Sequence, residues 1–182
     1  PLAWFEHHGV AREWPKFLDD FRHHWPTDGE GVTVAAVRRG EVGRGRHRLG
    51  DARWRRRAEA RTRAAKSVFH FDVPGTVANS THAGLPWLRH LRAQLGEGVH
   101  CWPFDGWTVP SGCSVLAEVY PSLWDYAGVP AGFTPDQRDA WLAAAALQRA
   151  SREGDLAAWL APPSDPAERA LAGIEGWILG VR

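Results

Sequence analysis

Methionine is absent from this sequence, cysteine occurs twice and lysine twice, and each shortage narrows what the chain can be. Cys101 and Cys113 form no Cys-x-x-Cys pair, and an intracellular chain of this size needs no covalent staple, so free thiols are expected. No apolar run approaches the ~20 residues that span a bilayer, and the first residues lack the charged, apolar and small-residue blocks of a secretion signal. A cytoplasmic protein without membrane attachment is the expectation. There is no Gly-x-Gly-x-x-Gly and no P-loop, since "GRG" at 43–45 is too short to count. No His-Glu-x-x-His occurs either, and the adjacent pairs His7/His8 and His23/His24 cannot both point one way on a regular element, which disfavours a zinc hydrolase. His100 and Cys101 would face opposite sides of a strand, which argues against a thiol nucleophile with a local base. With no methionine, and with "PLAWFEHHGV" reading like the inside of a domain, the chain is expected to be a fragment.

What is there is an ordinary globular balance, 44% hydrophobic and 24% charged, enough for one domain with a real core. Net charge is +1, but it is unevenly placed. Residues 44–66 hold nine Arg and one Lys against Asp51 and Glu59, a local +8 that leaves −7 elsewhere. Such asymmetry is the footprint of a surface that faces a polyanion. Arg53, Arg55, Arg56, Arg57, Arg61, Arg63 and Lys66 are therefore the candidate nucleic-acid contacts. Because 20 of the 22 basic residues are Arg and the chain is Ala-rich, compositional bias is the competing explanation.

Periodicity predicts a first helix in "REWPKFLDDFRHHW" ending near His24, with Trp14, Phe17, Leu18 and Phe21 on one face and Pro15 in the first turn. "GVTVAAV" is a short strand candidate. "DARWRRRAEARTRAAK" reads as a helix capped by Asp51, with a thin apolar stripe and a cationic back. "SVFHFDV" is a β-type run, and "PWLRHLRAQLG" a helix that opens on Pro86, turns Leu88, Leu91 and Leu95 inward and stops at Gly96. "VHCWPF" and "SVLAEVY" are two further strands. Thr134 with Gln137 forms a capping box, Pro135 fits the first helical position, and a helix follows from about 135 to 150. Two shorter helical pieces, "DLAAWLA" and "PAERALAGIEGWILG", end the chain. Trp87, Trp102, Trp124 and Trp177 lie among apolar neighbours and are expected in the core.

Three acids sit in odd places. At ~100° per residue, Asp136 and Asp139 share the small-residue face of the 135–150 helix with Ala140, Ala143, Leu147 and Ala150. That face should pack on the sheet and turn both carboxylates toward the strand ends. Glu118 lies two residues before the end of its strand, on the face of Leu116. A strand-end glutamate and two helix-start aspartates are the parts of a divalent-metal site for phosphodiester chemistry, with Mg²⁺ or Mn²⁺ as the ion. The alternative is that the aspartates stabilise the first helical turn through its dipole and Glu118 lies at a solvated edge.

The run "AKSVFHFDVPGTVANSTHAGLPWLRHLRAQLG", followed by "VHCWPFDGW", "LAEVYPSLW", "DQRDAWLAAAAL" and "EGWILGV", resembles the C-terminal two-thirds of bacterial proteins grouped as domain of unknown function 429, regarded as RNase H-like nucleases. The resemblance covers nearly everything from residue 65 onward. It implies an α/β fold, a mixed sheet flanked by helices, truncated at its N-terminus, so that residues 1–182 form one domain lacking its first part. It also implies metal-dependent nucleic-acid hydrolysis, with Glu118, Asp139 and Asp136 as metal-binding and catalytic acids. The first-strand acid of such a site has no counterpart here, and the fragment is expected to be silent. Asp72 is left as an unassigned extra acid. The remaining alternatives are a non-catalytic domain that binds nucleic acid or an acidic partner through the Arg-rich segment, and a small-molecule phosphotransferase.

Overall fold

The computed structural model describes residues 2–62, 64–71, 76–125 and 128–182. Among the described residues, besides three short 3₁₀ turns, ten α-helices and strands follow in order, and most are helices: α1 (Leu2–His8), α2 (Trp14–His24), α3 (Val34–Arg39), α4 (Arg57–Arg61), α5 (Ala78–Leu95), β1 (Val99–Cys101), β2 (Ser114–Leu116), α6 (Pro135–Glu153), α7 (Leu156–Trp159) and α8 (Pro166–Glu175). The sheet is two parallel strands, with Val99 opposite Ser114 and Cys101 opposite Leu116. A single parallel bridge from Glu118 to Ile178 extends it, and Leu179 N–H donates to Glu118 O at 2.9 Å. The expected RNase H-like mixed sheet is therefore not the architecture. This is a helical protein with a small open parallel sheet.

The reason lies in where the backbone hydrogen bonds go, since each buried N–H must find an acceptor. In "SVFHF" the N–H groups turn to side chains instead of a neighbouring strand: Val68 N–H donates to Glu59 Oε1 at 3.0 Å and Phe69 N–H to Ser67 Oγ at 3.1 Å. Residues 67–71 consequently form no strand, with turns at 68, 69 and 71 and Phe69 buried. "GVTVAAV" also departs from its β propensity. Thr33 Oγ1 caps Ala36 N–H, and Gly40, at φ 78°, closes α3 in the left-handed conformation that glycine adopts without strain.

The expected helix over 51–66 shrinks to the five residues of α4. Asp51 accepts from Arg53 N–H in a local turn, which competes with helix continuation. Helix α5 departs the other way, starting at Ala78 and carrying Pro86 inside. Ala78, His82 and Pro86, spaced by four, form its buried stripe, α5 packs along α2, and Thr27 Oγ1 donates to Ala83 O at 2.5 Å. Burying that stripe turns Trp87, Leu91 and Leu95 outward, the first 49% exposed, so the inward placement expected for them is overturned.

Helix α6 has the capping box foreseen for Thr134 and Gln137. Its buried residues, however, are Leu142, Ala146 and Ala150, and it packs on the 3₁₀ turn Pro121–Trp124 and on α7 instead of the sheet. Leu142 offers far more apolar surface than Ala140 or Ala143 and centres the contact stripe on itself. The first turns of α6 project past that contact, and residues 131–141 are all exposed.

Two aromatic-rich cores result. One gathers Trp4, Phe5, Phe21, Trp25, Val37 and Phe69; the other gathers Ala58, Trp102, Ala172, Trp177, Ile178 and Leu179. Trp124 is also buried, so three of the four tryptophans expected inside are there. Cys101 and Cys113 are free thiols.

Candidate functional site

Between the two cores lies a cavity of about 570 Å³, the size of a small-molecule pocket. Its wall takes Trp4 and Phe5 from α1, Trp14 and Phe17 from α2, and Trp102 and Phe104 from the segment after β1. The helices bring these rings together by their own spacing: Trp14, Phe17 and Phe21 follow the i, i+3, i+7 line of α2. Trp14 stacks on Phe104 at 3.9 Å with the planes 4° apart, and Trp4 meets Phe5 and Phe17 edge to face, both favourable aromatic geometries.

The Phe104 loop is held by a polar clamp. Asp105 accepts from Cys101 N–H at 2.8 Å and from Arg92, and burial acting against it is outweighed by those donors, so its carboxyl stays below the usual range. Cys101 lines the cavity, but burial pushes its thiol up against the opposing pull of Arg92, which leaves it protonated and a poor nucleophile.

One end of the cavity is charged. Arg56, at 9% exposure, sends its two terminal nitrogens to the two oxygens of Glu118, each at 2.6 Å. Its Nε donates to Glu59 Oε1 at 2.9 Å, and its backbone N–H to Glu59 Oε2 at 2.9 Å. Burial works against the charge of Arg56, but Glu118 and Glu59 outweigh it and raise the guanidinium above its ordinary value. Glu59 is 1% exposed, whereas the Glu118 side chain is 41% exposed. One cation thus faces two carboxylates, only one of which reaches water.

His82, also on the wall, is 2% exposed. Its Nδ1 lies 2.8 Å from Ala78 O, which makes Nδ1 the donor and Nε2 an acceptor. Nε2 is buried without a partner. Burial lowers this histidine to about 4, against the Ala78 hydrogen bond, so the ring is neutral at pH 7. Trp14 Nε1 is a buried donor likewise without a partner.

The sequence-derived acids do not form a site. Both oxygens of Glu118 engage Arg56, while Asp136 and Asp139 are exposed on the free first turns of α6 without a protein partner among the described residues. Among the described residues no three His, Cys, Asp or Glu side chains are grouped to hold a metal. A Glu118 held by a buried guanidinium does not fit a Mg²⁺ or Mn²⁺ ligand set. Asp72 lies outside the described residues.

The arginine segment is similarly occupied. Arg53 pairs with Asp51, and Arg55 donates to Glu59 O and Ala65 O. Arg57 and Arg61 both pair with Glu168, whose side chain is 7% exposed. Arg56 is buried, Lys66 is exposed, and Arg63 lies outside the described residues. These guanidiniums join α4 to α8 and the chain end, and the arrangement lends no support to a cationic stripe for nucleic acid. No described helix is long and apolar enough to cross a membrane.

What sequence reasoning missed is the cavity and the partnership of Arg56 with two glutamates. Aromatic density was the available signal: 11 Trp and 7 Phe in this chain exceed what one small core needs. Comparison with family models, with curated proteins and with solved structures returns no match.

Proposed function

We propose that this protein binds a small, largely apolar molecule in the cavity between its two cores. The observation that carries the reading is the cavity itself, about 570 Å³, lined by aromatic rings and by the Arg56–Glu118 pair. An apolar pocket with a few convergent polar groups is the arrangement in which burial supplies affinity and the polar groups fix orientation. The test is saturable binding of the uncharged fluorophore N-phenyl-1-naphthylamine. One equivalent should bind, and Leu88→Trp, which places an indole in the cavity, should weaken it at least tenfold. No saturable binding, or binding indifferent to that substitution, refutes the reading.

A second reading, Mg²⁺- or Mn²⁺-dependent phosphodiester hydrolysis, is favoured by the sequence resemblance and by the unpartnered carboxylates of Asp136 and Asp139. It requires Glu118 to exchange Arg56 for another partner. Metal-dependent cleavage of single-stranded, duplex or branched nucleic acid, abolished by Glu118→Gln, supports it; cleavage that survives that substitution removes it.

A further inference from the structure

Resting on the cavity-binding reading, the geometry points to an organic cation as the ligand: an ammonium group at Glu118 on an apolar body that lies against the aromatic wall. Charge complementarity decides the sign. The cavity wall carries one guanidinium, Arg56, and two carboxylates, Glu118 and Glu175, and Glu59 adds a further carboxylate behind Arg56. The hydrogen bonds point the same way. Arg56 makes four side-chain N–H contacts, to Glu59, to both oxygens of Glu118 and to Glu175 O, and a guanidinium has five N–H groups. It has almost nothing left for an anion.

Glu118 has received two of the roughly four donors that a carboxylate can accept and remains 41% exposed at the side chain. Glu175 has likewise accepted two donors, from Leu2 N–H at 3.1 Å and Arg57 N–H at 3.0 Å, but it is the less exposed of the two acids, so Glu118 is the one more open to a ligand. The rings of Trp4, Trp14, Phe17 and Phe104 supply the faces that attract a cation and its alkyl or aryl body.

The experiment compares three probes on one skeleton, 4-phenylbutylammonium, 4-phenylbutan-1-ol and 4-phenylbutanoate, by calorimetric titration at pH 7. The ammonium should bind at least tenfold tighter than the alcohol, and the carboxylate weakest. In Glu118→Gln, checked for an unchanged circular dichroism spectrum, the ratio of ammonium to alcohol affinity should fall at least fivefold. Equal affinity for ammonium and alcohol, a preference for the carboxylate, or an undiminished ratio in Glu118→Gln overturns the charge assignment while leaving the cavity reading intact if N-phenyl-1-naphthylamine binds. Failure of every probe, the fluorophore included, overturns both.

Discussion

Replacing Arg56 by methionine isolates the most consequential electrostatic contact in the molecule. Methionine retains much of the volume but removes the charge, leaving Glu59 at 1% exposure with only the backbone N–H groups of Arg56 and Val68 as donors. Glu118 contributes less to the penalty because its half-open carboxylate regains water. Breaking a buried pair by deleting one partner costs about 3–5 kcal/mol, a large share of the ~5–15 kcal/mol that holds a domain folded. With a urea slope of about 2 kcal/mol per M, the midpoint should drop by roughly 2 M. Adding Glu59→Gln removes the stranded charge and keeps an oxygen for one of the two N–H groups, which donate to different carboxylate oxygens. The double variant should recover about 2 kcal/mol. Equilibrium urea unfolding followed by tryptophan fluorescence measures both. A single-variant loss below ~1 kcal/mol, or a double variant no more stable than the single one, would refute the assignment of Arg56 as the counter-ion of a buried Glu59.

His82 should make the fold sensitive to acid. Its pKa falls to about 4 in the folded protein against an ordinary value of about 6.5, so between these values the unfolded chain binds more protons and stability is lost as pH falls. The loss should approach about 3 kcal/mol below pH 4, and it should be missing from the pH profile of His82→Leu; parallel pH profiles for the two proteins would contradict it. At Gly50 an added Cβ would lie 2.3 Å from Phe69 Cδ1, and Phe69 is held within the first core. Gly50→Ala should therefore cost about 1–3 kcal/mol by thermal unfolding, and an unchanged melting temperature would show that the ring moves freely.

How far the sequence spoke for itself depended on whether a signal was local. The α2 stripe of Leu18 and Phe21 and the Thr134–Gln137 capping box appear where residue spacing placed them, because such features are completed within one or two helical turns. Helix α6 was legible as a helix but not in its orientation: the choice between an alanine face and Leu142 depended on which neighbour arrived, and the turn at Pro121–Trp124 took the larger side chain. That choice left Asp136 and Asp139, two of the three proposed metal ligands, exposed to solvent.

By itself the sequence determined a globular chain with free thiols, the helices α2 and α6 and the pairing-competent segment at Val99–Cys101, since composition and short-range periodicity suffice for these. Only the tertiary structure decided that "SVFHF" forms no strand, that Arg56, Arg57 and Arg61 pair with acids as distant as Glu118 and Glu168, and that two cores leave a cavity between them. Arg56 and Glu118 stand 62 residues apart. No local propensity links them, and their pairing arises only when burial makes an unpartnered charge more costly than any strand they might have joined.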